Sequence, residues 1–217
     1  MGDTPCGVGG VGWLGWLVCL LNQPTNQLTT PNGIYRTFFK RPMDIILSLL
    51  AIIFLSPILL IVAILVRLKL GRPIIFKQQR PGLNEKIFTM YKFRTMTDEK
   101  GENGELLPDS IRLTKFGRIL RSTSLDELPQ LFNILKGEMS FVGPRPLIPN
   151  EGMINVRRKE LNIDRLRPGL TGWAQVKARD TCNDDEKLEL DLYYSENVSF
   201  ILDFKILMYT FSVLKGK

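Results

Sequence analysis

The stretch IILSLLAIIFLSPILLIVAILV at residues 45–66 carries no charge and is interrupted near its middle by Ser56-Pro57. A straight helix of this length rises about 33 Å, enough to cross a hydrocarbon core roughly 30 Å thick. Basic residues stand on both sides of it, at positions 40, 41, 67, 69 and 72. Positive flanks prefer the cytoplasmic side, and a single span cannot put both ends there.

The Ser56-Pro57 pair reconciles the length of the run with its charges. Pro57 cannot donate to the carbonyl of Ile53, so it favours a kink between two arms of about 16 Å, each too short to cross alone. The Ser56 hydroxyl is well placed to satisfy the freed carbonyl. We therefore predict a membrane helix over residues 34–72 that is broken at Ser56-Pro57 and re-entrant. A kinked span is the alternative.

Length and composition limit the remaining possibilities. The 217 residues hold one membrane element and one compact domain of ordinary size, which we place at residues 73–217. A net charge of +7 suits an anionic membrane surface or phosphorylated substrates, and equally a nucleic acid. The absence of histidine excludes Ser-His triads and histidine metal sites. Catalysis must rest on carboxylates, Lys, Arg, Tyr or Cys.

The N-terminal segment, residues 1–33, reads differently from the rest. It is Gly-rich and apolar, then polar, and it lacks the basic start of a signal peptide. We expect an extension outside the folded unit, because glycine weakens helices. A further membrane-contacting segment is the alternative.

The pattern beyond residue 72 predicts an α+β fold that is mainly helical, with one small β-hairpin. PIIFKQQ (73–79) and KIFTMYKFRT (86–95) are strand-like and are separated by turn residues. The charged, glycine-containing residues 97–110 predict a surface loop, a candidate lid. Helical spacing or helix boundary signals predict further helices over residues 114–121, 124–137, 151–160 and 186–195.

The C-terminal segment carries a helical apolar stripe. Its members are Phe200, Phe204, Leu207, Met208, Phe211 and Leu214. With Asp203 and Lys205 between them, this segment is too charged to span, and we predict an interfacial amphipathic helix. An ordinary helix packed on the core explains the stripe equally well.

Ser124-Leu125-Asp126-Glu127 admits two interpretations. Ser at an N-cap with Glu three residues later is a capping box, which has no functional meaning. Yet Pro129 would leave a carbonyl of such a helix unpaired. Adjacent carboxylates beside Arg118 and Arg121 could also stay ionised while sharing a hard divalent ion. Asp126 and Glu127 are thus a candidate nucleophile and metal ligand.

Two other segments present cations. In Gly143-Pro144-Arg145-Pro146 the prolines stiffen the backbone around Arg145, whose guanidinium suits phosphate oxygens. A rigid turn with a solvated arginine is the alternative. Lys92 and Arg94 share one face of the second strand, which a half-buried strand also explains. Gln175 and Arg179 follow the Pro168-Gly169 turn and carry only a weak signal.

Taken together these segments resemble the bacterial sugar transferase family, the small monotopic phosphoglycosyl transferases that begin glycan assembly on a polyprenol carrier. The resemblance covers residue 34 to the C-terminus, and its order of motifs is highly specific. The motifs are KRPMD (40–44), SP (56–57), YKFRTM (91–96), LDELPQ (125–130), FVGPRP (141–146) and RPGLTGWAQV (167–176).

The resemblance implies a reaction and its partners. A sugar 1-phosphate, by family frequency that of an N-acetylated amino sugar, would pass from a UDP-sugar to undecaprenyl phosphate with release of UMP. The enzyme would work at the cytoplasmic face of the bacterial inner membrane, beside membrane lipid and other glycan-assembly enzymes, without nucleic acid.

The resemblance also implies roles for single residues. Asp126 matches the nucleophile and Glu127 the Mg²⁺ ligand. Arg121 matches a position that holds the polyprenol phosphate, and Arg145 one that holds the nucleotide sugar. Gln175 and Arg179 fall in the corresponding substrate-side segment. A carboxylate of ordinary low pKa is a poor nucleophile but needs no base, which suits a chain without histidine. Rival hypotheses are a non-catalytic module that binds anionic lipid and a Mg²⁺-dependent phosphodiesterase.

Overall fold

The computed structural model describes residues 32–148, 153–178 and 183–215. The chain begins there with a short helix, Asn32–Ile34, and a π-helical turn, Tyr35–Phe39, which lead into the long helix α1, Lys40–Leu70. Helical structure continues through Pro57. The Ser56 hydroxyl donates to the Ile53 carbonyl at 2.8 Å, as predicted for the acceptor that Pro57 leaves open.

Helix α1 is exposed on most of its surface and packed against the protein along one narrow stripe. Tyr35–Leu70 is long and apolar enough to cross a membrane, and an 18-residue window within it has a mean hydropathy of 3.2. The inward stripe repeats at three- and four-residue intervals from the first turn to the last. Its fully buried members are Asp44, Ser48, Val62, Val66 and Leu70. A helix that crossed a bilayer could meet a domain on one side of the membrane only, so contact along its whole length favours the re-entrant prediction.

The predicted hairpin is confirmed. Strands β1, Ile75–Pro81, and β2, Ile87–Phe93, pair antiparallel with Ile75 opposite Phe93. The tip is a 3₁₀ turn, Leu83–Glu85. Residues 97–108 form a mainly irregular surface loop that leads into α2, Asp109–Arg112.

The remaining helices lie close to the predicted segments, except for the short helix Trp173–Lys177, which was not predicted, and one of the predicted segments divides. They are α3, Lys115–Ser122; α4, Gln130–Lys136; α5, Met153–Glu160; α6, Trp173–Lys177; α7, Asp184–Glu196; and α8, Phe200–Lys215. A 3₁₀ turn, Ile163–Arg165, follows α5. The mainly helical α+β fold is confirmed.

A second, very short sheet was not predicted. Strands β3, Ser140–Val142, and β4, Gly169–Thr171, run parallel. The close approach of the backbones at these strands requires glycine, because a Cβ added at Gly169 would lie 2.2 Å from the Gly143 amide nitrogen. One added at Gly172 would lie 2.1 Å from the Gly143 carbonyl oxygen. Three-residue strands carry too short a pattern to be recognised in a sequence.

The core consists of three apolar clusters, and α1 belongs to two of them. One joins Val62 and Val66 to Phe93 and Leu120, and the next joins the middle of α1 to Met90, Ile134 and Met139. The third cluster, under α7 and α8, is Val142, Leu166, Tyr194, Val198 and Ile206. The apolar helix therefore shares its core with the elements that follow residue 72.

Charged residues in the first turns of α1 bind three other elements. Lys40 forms an ion pair with the buried carboxylate of Asp203 on α8. Arg41 donates to the last carbonyls of α4, those of Ile134 and Leu135, at 2.6 and 2.9 Å. Asp44 accepts the Phe141 amide of β3 at 3.1 Å. Lys40 and Arg41 were interpreted as membrane-flanking charges, but their side chains point into the protein.

Four residues of the apolar stripe of α8 face outward, whereas Leu207 packs against the third core cluster. Phe200, Phe204, Met208 and Phe211 are each more than half exposed, while Asp203 and Ile206 are buried. Asp203 was taken for an interruption of the stripe, yet it accepts hydrogen bonds from Tyr35 and Tyr194 at 2.9 and 2.7 Å. The exposed rings favour the interfacial prediction over packing on the core.

The topology of α1 can be tested with cysteines at its two ends. Gly33→Cys and Lys69→Cys, both at exposed positions, are introduced separately after Cys6, Cys19 and Cys182 have been changed to Ser. We expect a membrane-impermeant maleimide to label both from the same side, because both ends of α1 contact one domain. Glu102→Cys on the surface loop marks the side of that domain. Labelling of positions 33 and 69 from opposite sides would show a crossing helix.

Candidate active site

A cleft of about 630 Å³ opens between the hairpin, α3, β4 and α8. Every predicted site residue that the structure describes lines the cleft, apart from Ser56 and Pro57 in α1. The lining residues among them are Lys92, Arg94, Arg121, Asp126, Glu127, Arg145 and Gln175. Arg179 lies outside the described residues. Arg118 is exposed on α3 and does not line the cleft.

Asp126 stands on a tight turn at the floor of the cleft. The turn is a single 3₁₀ segment, Leu125–Glu127, entered from Ser124 in the left-handed conformation with φ 55°. Ser124 makes no side-chain capping bond, so the capping-box interpretation is wrong. The helix predicted from residue 124 starts only at Gln130, because Pro129 takes the N-cap position, where its missing N–H costs little.

The electrostatics of Asp126 differ from the expectation of a low pKa. Only 7% of the residue is exposed. Burial raises the pKa of its carboxyl above the usual 3.8, and the neighbouring charge of Glu127 raises it further. Lys92 and Arg121 oppose that shift in part. A carboxylate with a raised pKa is the better nucleophile, provided that it is ionised.

Glu127 faces the cleft beside Asp126. Its Oε1 accepts from Lys92 of β2 at 2.6 Å, and a third of its side chain is exposed. Among the described residues its Oε2 makes no hydrogen bond. This pair places a carboxylate oxygen and a cation on the same wall of the cleft.

Arg121 is held over the cleft by a close approach of helix and strand. Its Nε donates to the Thr95 hydroxyl at 3.1 Å. One turn earlier, a Cβ added at Gly117 would lie 1.9 Å from the Thr95 carbonyl oxygen. Glycine is a weak helix former, but at position 117 it is what lets α3 approach Thr95. Within the described chain the Nη atoms of Arg121 have no hydrogen-bond partner, so they are available to a ligand.

Arg94 is engaged by the protein itself. Its Nε donates to the Met96 carbonyl at 2.8 Å and its Nη1 to the Arg72 carbonyl at 2.6 Å. Its Nη2 pairs with Asp98 at 2.7 Å. The guanidinium therefore ties the end of α1 to the loop after β2, and it contributes positive charge to the cleft from a fixed position.

Arg145 is exposed at the cleft wall, and its backbone is held from behind. Arg158 of α5 donates to the Arg145 carbonyl at 2.7 Å and also pairs with the buried Asp191 of α7. These contacts could not be predicted from the sequence, because Arg145, Arg158 and Asp191 come from distant segments. Other lining residues that were not predicted include Thr95, Arg112, Thr171 and Thr210.

Comparisons with known proteins agree with this site. The model of the bacterial sugar transferase family matches residues 35–217. The uncharacterized sugar transferase EpsL of Bacillus subtilis (strain 168) is 49% identical over 171 residues, 79% of this chain and 84% of that protein.

Two longer relatives carry reaction names. The UDP-glucose:undecaprenyl-phosphate glucose-1-phosphate transferase of Klebsiella pneumoniae is 43% identical over 85% of this chain and 41% of that protein. The UDP-N-acetylgalactosamine-undecaprenyl-phosphate N-acetylgalactosaminephosphotransferase of Aeromonas hydrophila is 37% identical over 88% of this chain and 47% of that protein. The chain spans less than half the length of these two relatives.

A cationic cleft with paired carboxylates, in a protein with a long exposed apolar helix, fits an enzyme that works at a membrane on phosphorylated substrates. The family match covers most of the chain, and the chain therefore belongs to the bacterial sugar transferase family. The resemblance seen in the sequence and the expected class, a phosphoglycosyl transferase, are confirmed.

The contact at Gly117 predicts an unusual sign for a helix substitution. Ala in place of Gly inside a helix normally stabilises by about 1 kcal/mol. Gly117→Ala should instead destabilise by about 1–3 kcal/mol, because its methyl group would overlap the Thr95 carbonyl. It should also weaken activity by displacing Arg121. Thermal unfolding in detergent checks this, with Ser122→Ala on the same helix as control. A stabilised Gly117→Ala would contradict the contact.

The raised pKa of Asp126 predicts that Asp126→Asn is more stable than the parent protein at pH 7. The folded-state pKa lies above the unfolded one, so the charged form disfavours folding above that pKa and the penalty disappears as the carboxyl is protonated at acid pH. Tm should rise by about 2–4 °C for each kcal/mol recovered, and the gain should vanish toward pH 3. The exposed Asp109→Asn is the control. A lower Tm at pH 7 would contradict the burial penalty.

Proposed function

We propose that this protein transfers a sugar 1-phosphate from a UDP-sugar to undecaprenyl phosphate through a covalent phosphosugar ester on Asp126. The observation that carries the proposal is a buried carboxylate with a raised pKa at the floor of a cleft whose walls are rich in arginine and lysine. The reaction names of the K. pneumoniae and A. hydrophila relatives support it.

The chemistry divides into two displacements at one phosphorus. A carboxylate oxygen of Asp126 attacks the β-phosphorus of the UDP-sugar, and the bond to the bridging oxygen breaks, so that UMP leaves with the electron pair. An oxygen of undecaprenyl phosphate then attacks the same phosphorus and releases Asp126. The products are undecaprenyl diphosphate sugar and UMP, and the enzyme is regenerated without any proton transfer from histidine.

The cations of the cleft have distinct parts in this scheme. Arg121 offers its free Nη atoms to the phosphate of the lipid acceptor, because guanidinium forks match phosphate oxygens. Arg145 holds the nucleotide diphosphate from its stiffened loop. Lys92 keeps Glu127 in place and offsets charge that develops during transfer.

A divalent ion fits the residues present. In the described part of the chain no three Cys, Asp or Glu side chains cluster as a ready metal site. Mg²⁺, however, commonly takes one or two carboxylates together with substrate phosphates and water. Glu127, whose Oε2 is open to the cleft, is the residue that would hold it. Bound there, Mg²⁺ would neutralise negative charge on the diphosphate.

The exposed faces of α1 and α8 supply the membrane contact. We place the enzyme on the cytoplasmic face of the bacterial inner membrane, with α1 re-entrant, so that the cleft meets a phosphate fixed to a lipid. The relatives differ in the sugar that they transfer, because their names include both glucose and N-acetylgalactosamine. An N-acetylated amino sugar remains our prediction.

A Mg²⁺-dependent phosphodiesterase is the enzymatic rival, since a metal-bound water could use the same cleft. The transferase and the phosphodiesterase mechanisms predict different results when UDP-sugar is supplied without a lipid acceptor. The covalent route predicts a burst of UMP equal to the amount of enzyme when UDP-sugar is added alone, and intact-protein mass spectrometry should show one added sugar phosphate.

Asp126→Asn should abolish both the burst and the adduct while the protein stays folded. Asp184→Asn, at the exposed start of α7 and outside the cleft, is the matched control and should retain both. Continued UMP release by Asp126→Asn, or steady turnover of UDP-sugar without acceptor and without an adduct, would favour the phosphodiesterase.

A further inference from the structure

The cleft has a second wall that differs from the catalytic one. Cations and carboxylates line the side formed by β2, α3 and the Asp126 turn. The described lining residues of β4, α6 and α8 are uncharged: Gly169, Leu170, Thr171, Gln175, Val176 and Thr210. We call these six residues the neutral wall. A diphosphate belongs on the charged side, so the neutral wall faces an uncharged part of the substrate.

The hydroxyl groups of the neutral wall have a fixed donor order. Thr210 donates to the Ile206 carbonyl one turn earlier in α8, at 2.9 Å. The oxygens of Thr171 and Thr210 are 2.7 Å apart. Because the Thr210 proton is used in the helix, Thr171 must donate to Thr210. The Thr171 oxygen therefore keeps lone pairs and no proton, and it can only accept from a ligand.

Gln175 adds a second acceptor. Its Oε1 is buried against Gly172 without a hydrogen-bond partner in the described part of the chain. Its Nε2 makes only a long bond of 3.4 Å to the Leu170 carbonyl. A buried amide oxygen without a donor is costly, and Gln175 lines the cleft, so a ligand bound there can supply the donor. The amide is loosely held and can turn toward a ligand.

We infer that Thr171, Gln175 and Thr210 form the subsite that reads the sugar of the donor, by accepting hydrogen bonds from its hydroxyl or amide N–H groups. The inference rests on the proposed function and extends it. The sugar is bonded to the phosphorus that Asp126 attacks, so it must lie in the same cleft. A wall of acceptors without charge suits a neutral polyol and offers nothing to a phosphate. Thr210 also makes the membrane-facing helix α8 a contributor to specificity.

The test compares Thr210→Val and Gln175→Leu with the parent protein on UDP-glucose, UDP-galactose, UDP-N-acetylglucosamine and UDP-N-acetylgalactosamine. Losing one neutral hydrogen bond should lower kcat/KM for the preferred donor about five- to tenfold. The other donors should change less, so that the ratios between sugars shift. Inhibition by UMP should stay unchanged, because UMP lacks the sugar.

Two controls separate specificity from folding. Thr210→Ser keeps the hydroxyl and should restore the parent ratios. Ser212→Ala removes a hydroxyl that makes the same kind of bond within α8, to the Met208 carbonyl, but lies outside the cleft. It should leave all four ratios as they are.

Binding provides a readout that does not depend on turnover. Saturation-transfer NMR with each UDP-sugar should show weaker transfer to the sugar protons in Thr210→Val, with the uracil protons unaffected. Equal weakening of all donors and of UMP would show that the neutral wall holds the nucleotide. Unchanged ratios and unchanged saturation transfer would show that the neutral wall does not recognise the sugar. A parent protein that binds UDP-sugars but releases no UMP would refute the proposed function alone.

Discussion

The structure depends on how the first turns of α1 are bound to the domain. Lys40, Arg41 and Asp44 bind α8, α4 and β3. Asp44 and the Lys40–Asp203 pair are largely buried, and the Arg41 side chain is partly buried. Charged groups with buried partners are costly to separate, because each would be left without its counterpart in a poorly solvated place. The membrane helix and the catalytic domain are consequently one folding unit.

This binding explains why an exposed apolar helix accompanies a precisely built cleft. The inward stripe of α1 packs against Phe93 of β2 and Leu120 of α3, the elements that carry Lys92 and Arg121. At the other end, Asp203 links Tyr35 and Lys40 to α8, the helix that brings Thr210 to the cleft. The helices that we place at the membrane thus pack directly against the elements that line the cleft. In our proposal this packing sets the distance between the active site and the membrane.

Much of this arrangement follows from local patterns in the sequence. The uncharged run, the hairpin and the helix that stops at Gly137 were predicted because periodicity and turn residues act over a few positions. The site residues lie on short motifs, and those that the structure describes converge on one cleft. Contacts between distant segments were beyond such reasoning. Examples are the turning inward of Arg41, the support of Arg145 by Arg158, and the approach of Gly117 to Thr95. The Ser124 interpretation failed because Pro129 shifts the start of α4.

The most direct test of the central claim, that α1 and the catalytic domain are one folding unit, is hydrogen exchange in lipid nanodiscs. Asp44→Leu removes the acceptor of the Phe141 amide and puts an apolar side chain in its place, and the exposed Arg67→Ala serves as control. We predict that peptides covering α4 and β3 exchange faster in Asp44→Leu than in the parent protein, and that Arg67→Ala leaves them unchanged. Parent-like protection of β3 in Asp44→Leu would show that the Asp44 contact does not couple α1 to the domain, and would contradict the dependence on the first turns of α1.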